Sequence, residues 1–80
     1  MNISKAVATR IKELLKEKGL TQYRLERKAG LAHDTVKSIM KGKAKGVNLK
    51  TCFIIAKGFD MTIWEFLNSE IFEFENIELN

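Results

Sequence analysis

A single glycine constrains this chain most tightly. Residues 22–29, QYRLERKA, and 33–40, HDTVKSIM, each read as a short helix, and only Gly30, Leu31 and Ala32 separate them. Glycine reaches positive φ without steric cost, so the backbone can end one helix at a sharp corner and begin the next. Val36 and Ile39 give the second helix an apolar side, while His33, Asp34, Lys37, Ser38 and Lys41 fill the other. Two short helices about a tight turn, the second with a polar outer face, form a helix-turn-helix layout.

Helical signals continue on both sides. Ala6, Val7, Ile11, Leu14 and Leu15 recur at helical spacing in a first helix that Asn2 or Ser4 can cap and Gly19 can close. Thr21 caps the second helix, where Leu25 and Ala29 should be buried and Gln22 exposed. Gly42 ends the third, and the basic loop KGKAKGVN follows it. Asn48 caps a fourth helix with Leu49, Cys52, Ile55, Ala56 and Phe59 on one stripe. Thr62 and Glu65 open a fifth as a capping box, with Ile63, Phe66 and Leu67 expected in the core and Trp64 partly covered. In the tail, Phe72 and Phe74 alternate with Glu73 and Glu75, a period of two that favours a short strand.

Eighty residues without proline suit one domain of helices joined by short turns. One cysteine excludes an internal disulfide and a four-cysteine zinc site. The chain opens with no export leader, and no apolar run approaches the roughly 18 residues of a membrane span, so the expected compartment is the cytoplasm. The net charge of +4 hides an uneven distribution. Residues 1–50 carry thirteen Lys/Arg and four Asp/Glu, a balance of +9, and residues 51–80 carry one Lys and six Asp/Glu, a balance of −5. Such a basic region attracts a phosphate backbone, although a merely solvated face has the same composition.

From about residue 7 to residue 67 the sequence resembles the lambda-repressor/Cro-like (XRE) helix-turn-helix family. Ile11 and Leu14, Gly19-Leu20-Thr21-Gln22, Leu25 and Ala29-Gly30-Leu31 carry the resemblance in order. Thr35-Val36, Ile39, Gly42, Leu49, Thr51, Ile55-Ala56-Lys57 and Glu65-x-Leu67 continue it. The resemblance implies an all-α fold, a compact five-helix bundle with helix-turn-helix segments at about 21–29 and 33–40 in a domain of residues 1–68. Residues 69–80 are then an acidic, aromatic tail. It also implies a double-stranded DNA partner, read by a dimer whose third helices enter the major groove. By this resemblance the base-reading positions are His33, Asp34 and Ser38, with Thr35 and Lys37 close by. The phosphate-binding positions are Thr21, Gln22, Lys41, Lys43 and Lys45.

The residue chemistry agrees. Gln22 can donate to a phosphate that the helix N-terminus also attracts, and the lysines supply charge without base information. Asp34 can accept from a cytosine amino group, and His33 can donate to guanine or contact phosphate. Four positions depart from the family pattern, one of them Lys41, which replaces a more usual asparagine or glutamate and strengthens the phosphate reading. Ala32 replaces a capping serine or threonine, so the third helix should start late or fray. Glu26 replaces a small residue and should tilt outward towards a lysine. Ile54 is apolar where a polar residue is usual.

Other readings stay open for some residues. His33 lacks a second ligand or base at useful spacing, so neither catalysis nor a metal is expected of it, and it can also be an ordinary exposed helix-start residue. Cys52 reads as a small buried group. Ile54, Trp64, Phe72 and Phe74 are candidates for a homodimer contact, against a frayed acidic end as the bland alternative. No cofactor or small-molecule ligand is expected. The functional expectation is a transcriptional repressor acting on a palindromic operator. The alternative is an antitoxin-like module that binds another protein and DNA secondarily.

Overall fold

Four of the five α-helices among the described residues start at a side chain that caps them. In the computed structural model, which describes residues 1–42 and 47–79, α1 spans Ile3–Lys18, α2 Gln22–Ala29, α3 His33–Met40, α4 Leu49–Gly58 and α5 Ile63–Leu67. Asn2 Oδ1 accepts from Lys5 N at 2.8 Å, Thr21 Oγ1 from Arg24 N at 3.1 Å, and Asn48 Oδ1 from Thr51 N at 2.8 Å. At α5 the box is reciprocal: Thr62 Oγ1 accepts from Glu65 N at 3.1 Å, and Glu65 Oε1 accepts from Thr62 N at 2.9 Å. Only α3 lacks such a bond, as Ala32 has no acceptor to offer. The corner before it is the glycine turn, with Gly30 at φ 71° and the amides of Gly30 and Leu31 both donating to Glu26 O.

Helix α2 packs on α4, and α1 on α3. Between them Val7, Ile11, Leu14, Leu25, Ile39, Cys52, Ile55, Ala56, Phe59 and Phe66 form one buried cluster. The α2–α4 crossing is close because Gly58 has no side chain: a Cβ there would sit 2.9 Å from Ala29 Cβ and 3.0 Å from Leu25 Cδ1. Arg10 ties α1 to the end of α5, donating from Nε to Phe66 O at 2.7 Å and from Nη2 to Glu65 O at 2.9 Å. Its charge thereby meets the carbonyl end of a helix dipole. Lys28 and Asp60 join α2 to the α4–α5 turn at 2.6 Å. Among the described residues, no helix is long and apolar enough to cross a membrane.

The tail differs from its sequence pattern. Instead of a strand it makes two single 3-10 turns, Glu70–Phe72 and Phe74–Asn76. A strand needs a partner along its length, and among the described residues the tail has only one isolated parallel bridge, Asn2 to Glu78. Its backbone groups are satisfied locally instead, with Glu73 N donating to Glu70 O and Asn76 N to Glu73 O. Phe72 and Phe74 border one groove but differ in burial. The Phe72 ring packs 6.2 Å from that of Phe66, and Phe74 is 80% exposed.

Three further expectations change. Leu49 shares the buried stripe of α4 but, as its first residue, projects past the packed section and is 64% exposed. Trp64 is 81% exposed, because Phe66 takes the inward direction and two residues along a helix turn about 200°. Leu67, counted with the core from sequence, is also exposed.

Candidate nucleic-acid interface

Burial of Val36 and Ile39 fixes the rotation of α3 and leaves His33, Asp34, Thr35, Lys37 and Ser38 exposed. Positions four apart stack along a helix face, so His33, Lys37 and Lys41 form one row and Asp34 and Ser38 the next. Asp34 lies in the first turn of α3, where a negative charge favours the uncapped helix start. Lys41 is exposed at the C-cap. Lys43 and Lys45 lie outside the described residues.

At the start of α2, Thr21 is exposed and its hydroxyl is engaged as the cap, while Gln22 is half-buried. Gln22 is held by a residue expected elsewhere. Glu26 does not tilt outward to a lysine; it is 7% exposed. Its Oε2 accepts from Gln22 Nε2 at 3.0 Å and lies 2.8 Å from His33 Nδ1. The reason is the turn itself, which brings the first residue of α3 over the middle of α2 and gives the carboxylate two donors in place of water. These bonds, that from Gln22 foremost, hold the Glu26 carboxyl below the usual glutamate range against the opposite push of burial. Gln22 keeps its second amide hydrogen for another acceptor. A sequence signal existed for this cluster: Gln22 and Glu26 are one turn apart on α2, and His33 opens the next helix.

A second cationic surface was not anticipated from sequence. Tyr23, Arg24, Arg27 and Lys28 border a shallow hollow on α2. There the Arg27 guanidinium lies 5.8 Å from the Tyr23 ring centroid and donates to its hydroxyl at 3.0 Å.

Cys52 is buried, and burial pushes its thiol pKa up, away from the nucleophilic thiolate. Among the described residues no three His, Cys, Asp or Glu side chains are grouped to hold a metal.

The candidate dimer residues lie on two surfaces. Ile54 is half-buried next to Trp64, and Phe53, Lys57, Met61, Thr62 and Ile63 complete a shallow hollow with them. Phe74 lines a separate apolar groove with Ile3, Phe72, Ile77 and Leu79.

A glycine-cornered pair of helices, presenting a polar α3 from a five-helix core, defines a helix-turn-helix DNA-binding domain. The family of Cro/C1-type helix-turn-helix DNA-binding domains matches residues 10–73, and the chain belongs to it. Neither a curated protein nor a solved structure matches the chain. Membership makes it a DNA-binding domain of transcription-regulator type rather than a member of an enzyme family.

Proposed function

We propose that the chain is a sequence-specific transcriptional repressor that binds a palindromic operator as a homodimer. The observation that carries this reading is the outer face of α3. Its exposed residues are polar or charged, it is held in one rotation by Val36 and Ile39, and it stands beside the capped start of α2. In this reading α3 lies in the major groove, where His33, Asp34, Thr35, Lys37 and Ser38 face base edges. Thr21, Gln22, Lys41, Lys43 and Lys45 face phosphates, matching the basic balance of residues 1–50.

The dimer forms through apolar side chains that the fold leaves uncovered. Trp64 and Ile54 provide one contact surface, and Phe74, with the exposed side of Phe72, provides the other from the tail. Two copies related by a two-fold axis set their α3 helices about 34 Å apart, one turn of DNA. Repression follows from occupancy of the operator and needs no reaction.

Selection of bound DNA from a random pool tests the whole reading, since a palindromic winner reports both the site and the dimer. Winners without symmetry, together with a monomer by light scattering at micromolar concentration, overturn the dimer. No enriched sequence at all overturns sequence-specific binding. A protein captured on the Trp64 face in that case favours the antitoxin-like alternative.

A further inference from the structure

The polar face of α3 is anchored at one end by a buried carboxylate. The Glu26 side chain is 8% exposed and that of His33 64% exposed, and 2.8 Å separates Glu26 Oε2 from His33 Nδ1. An ionised carboxylate has no proton to give, so the hydrogen between the two belongs to Nδ1. The two ring nitrogens lie on different edges of the imidazole. With Nδ1 engaged on Glu26, Nε2 is the nitrogen left for a partner outside the fold.

We infer that Glu26 is a positioning residue that decides what His33 offers to DNA: an Nε2 acceptor while the ring is neutral, and an Nε2–H donor once it is protonated. This rests on the reading of His33 as a base-facing residue. Nδ1 keeps its hydrogen in both states, and the added proton comes from solvent to Nε2, so one proton inverts the hydrogen-bonding sense of the exposed edge. The neutral ring then matches the exocyclic amine of cytosine or adenine, and the protonated ring matches N7 or O6 of guanine. Imidazoles as a class exchange that proton near neutral pH.

Glu26 faces the ring from α2, and Asp34 and Lys37 flank it on α3. The other charged residues of α2, Arg24, Arg27 and Lys28, gather around the hollow beside Tyr23. On α1, Lys5 and Lys12 border the opposite end of α3, beside Met40, Lys41 and Gly42.

His33 is the only histidine, so its ring nitrogens give the only imidazole signals in a nitrogen-15 spectrum of the full chain. While the ring is neutral, at the higher pH of a titration, the expected pattern is a protonated Nδ1 and a bare Nε2; once it is protonated, at the lower pH, both carry hydrogen. A bare Nδ1, or an even mixture of tautomers, at the higher pH overturns the inference. Glu26→Gln keeps the shape but removes the obligatory acceptor, and should raise the share of the Nε2–H tautomer. An unchanged share overturns the role of Glu26. Should that variant fail to fold, the wild-type spectrum still decides.

With DNA, sites selected near pH 6 and pH 8 should differ at one base pair per half-site, by about fivefold or more in relative affinity. The Glu26→Gln variant should lose most of that difference. Identical preferences at both pH values overturn the consequence for recognition. If no DNA binds at either pH, the functional reading fails instead, and the nitrogen spectrum still decides the state of the ring.

Discussion

The outer face of α3 and the outer face of α5 with the tail are both exposed, but by opposite means. On α3 the exposed groups are polar, and the first of them is braced from below by Glu26, itself bonded to Gln22. On α5 and the tail the exposed groups include, among acidic side chains, Trp64 and Phe74, two large rings for which the fold supplies no cover. The first surface carries chemical information that the fold holds in place. The second carries apolar area that water does not favour, and a surface of that kind gains from association. The two surfaces are thus prepared for different partners, and different substitutions should separate them.

The largest effect tests the core that both surfaces share. Phe66→Ala removes a fully buried ring that Phe72 packs against, and should cost about 3–5 kcal/mol in chemical denaturation. Trp64→Ala, two residues away, should cost far less, and equal losses would show that Trp64 is covered in solution. Gly58→Ala comes next, at about 1–3 kcal/mol, because its new methyl must push α2 away from α4. A neutral result would mean that this crossing is looser than 2.9 Å implies.

On the polar face, changes at Asp34 or Ser38 should alter the preferred sequence by about 1–3 kcal/mol at single base pairs. Lys41→Ala should weaken binding to all sequences alike and lower the salt slope by about one. Competition binding at several salt concentrations measures both, and a sequence-selective effect at Lys41 would exchange the two roles. The smallest effect is on the apolar face. Trp64→Ser should leave stability within about 0.5 kcal/mol while shifting self-association in sedimentation, and an unchanged association state removes Trp64 from the interface.

Acid should act through the carboxylates. The pKa of Glu26 is lowered in the fold, so its contribution is fully present above the ordinary glutamate range and is lost as pH falls through the lowered value. Asp60, bonded by Lys28, and Glu65, bonded by the Thr62 amide, behave in the same sense. The melting temperature should fall on acidification. The gap between wild type and Glu26→Gln should narrow with it, and a gap independent of pH would show that the carboxylate charge is not what the fold uses.

Much of the architecture was legible because it is written locally. Asn2, Thr21, Asn48 and the Thr62–Glu65 box each mark a helix start within three residues of the bond they make, and Gly30 marks the corner. What sequence misjudged depends on neighbours distant in the chain or on none being present. Glu26 looks like a surface charge until the turn sets His33 over it. Phe72 and Phe74 read as one face of a strand, but a strand without a partner gives way to turns that tuck Phe72 against Phe66 and leave Phe74 exposed. Trp64 was expected to be partly covered, yet a helix of five residues had already spent its inward direction on Phe66. The α3 face was readable from Val36 and Ile39 alone. The bracing beneath it was not.

The missing cap at Ala32 has a consequence in time. The first turn of α2 gives its Arg24 amide to Thr21, whereas the first turn of α3 has no such side-chain acceptor at its N-cap. Local opening there costs less, so those amides should exchange with solvent sooner than their counterparts in α2. With no cap, the turn holding His33 and Asp34 depends on the His33–Glu26 contact for its hold, so Glu26→Gln should speed that exchange further.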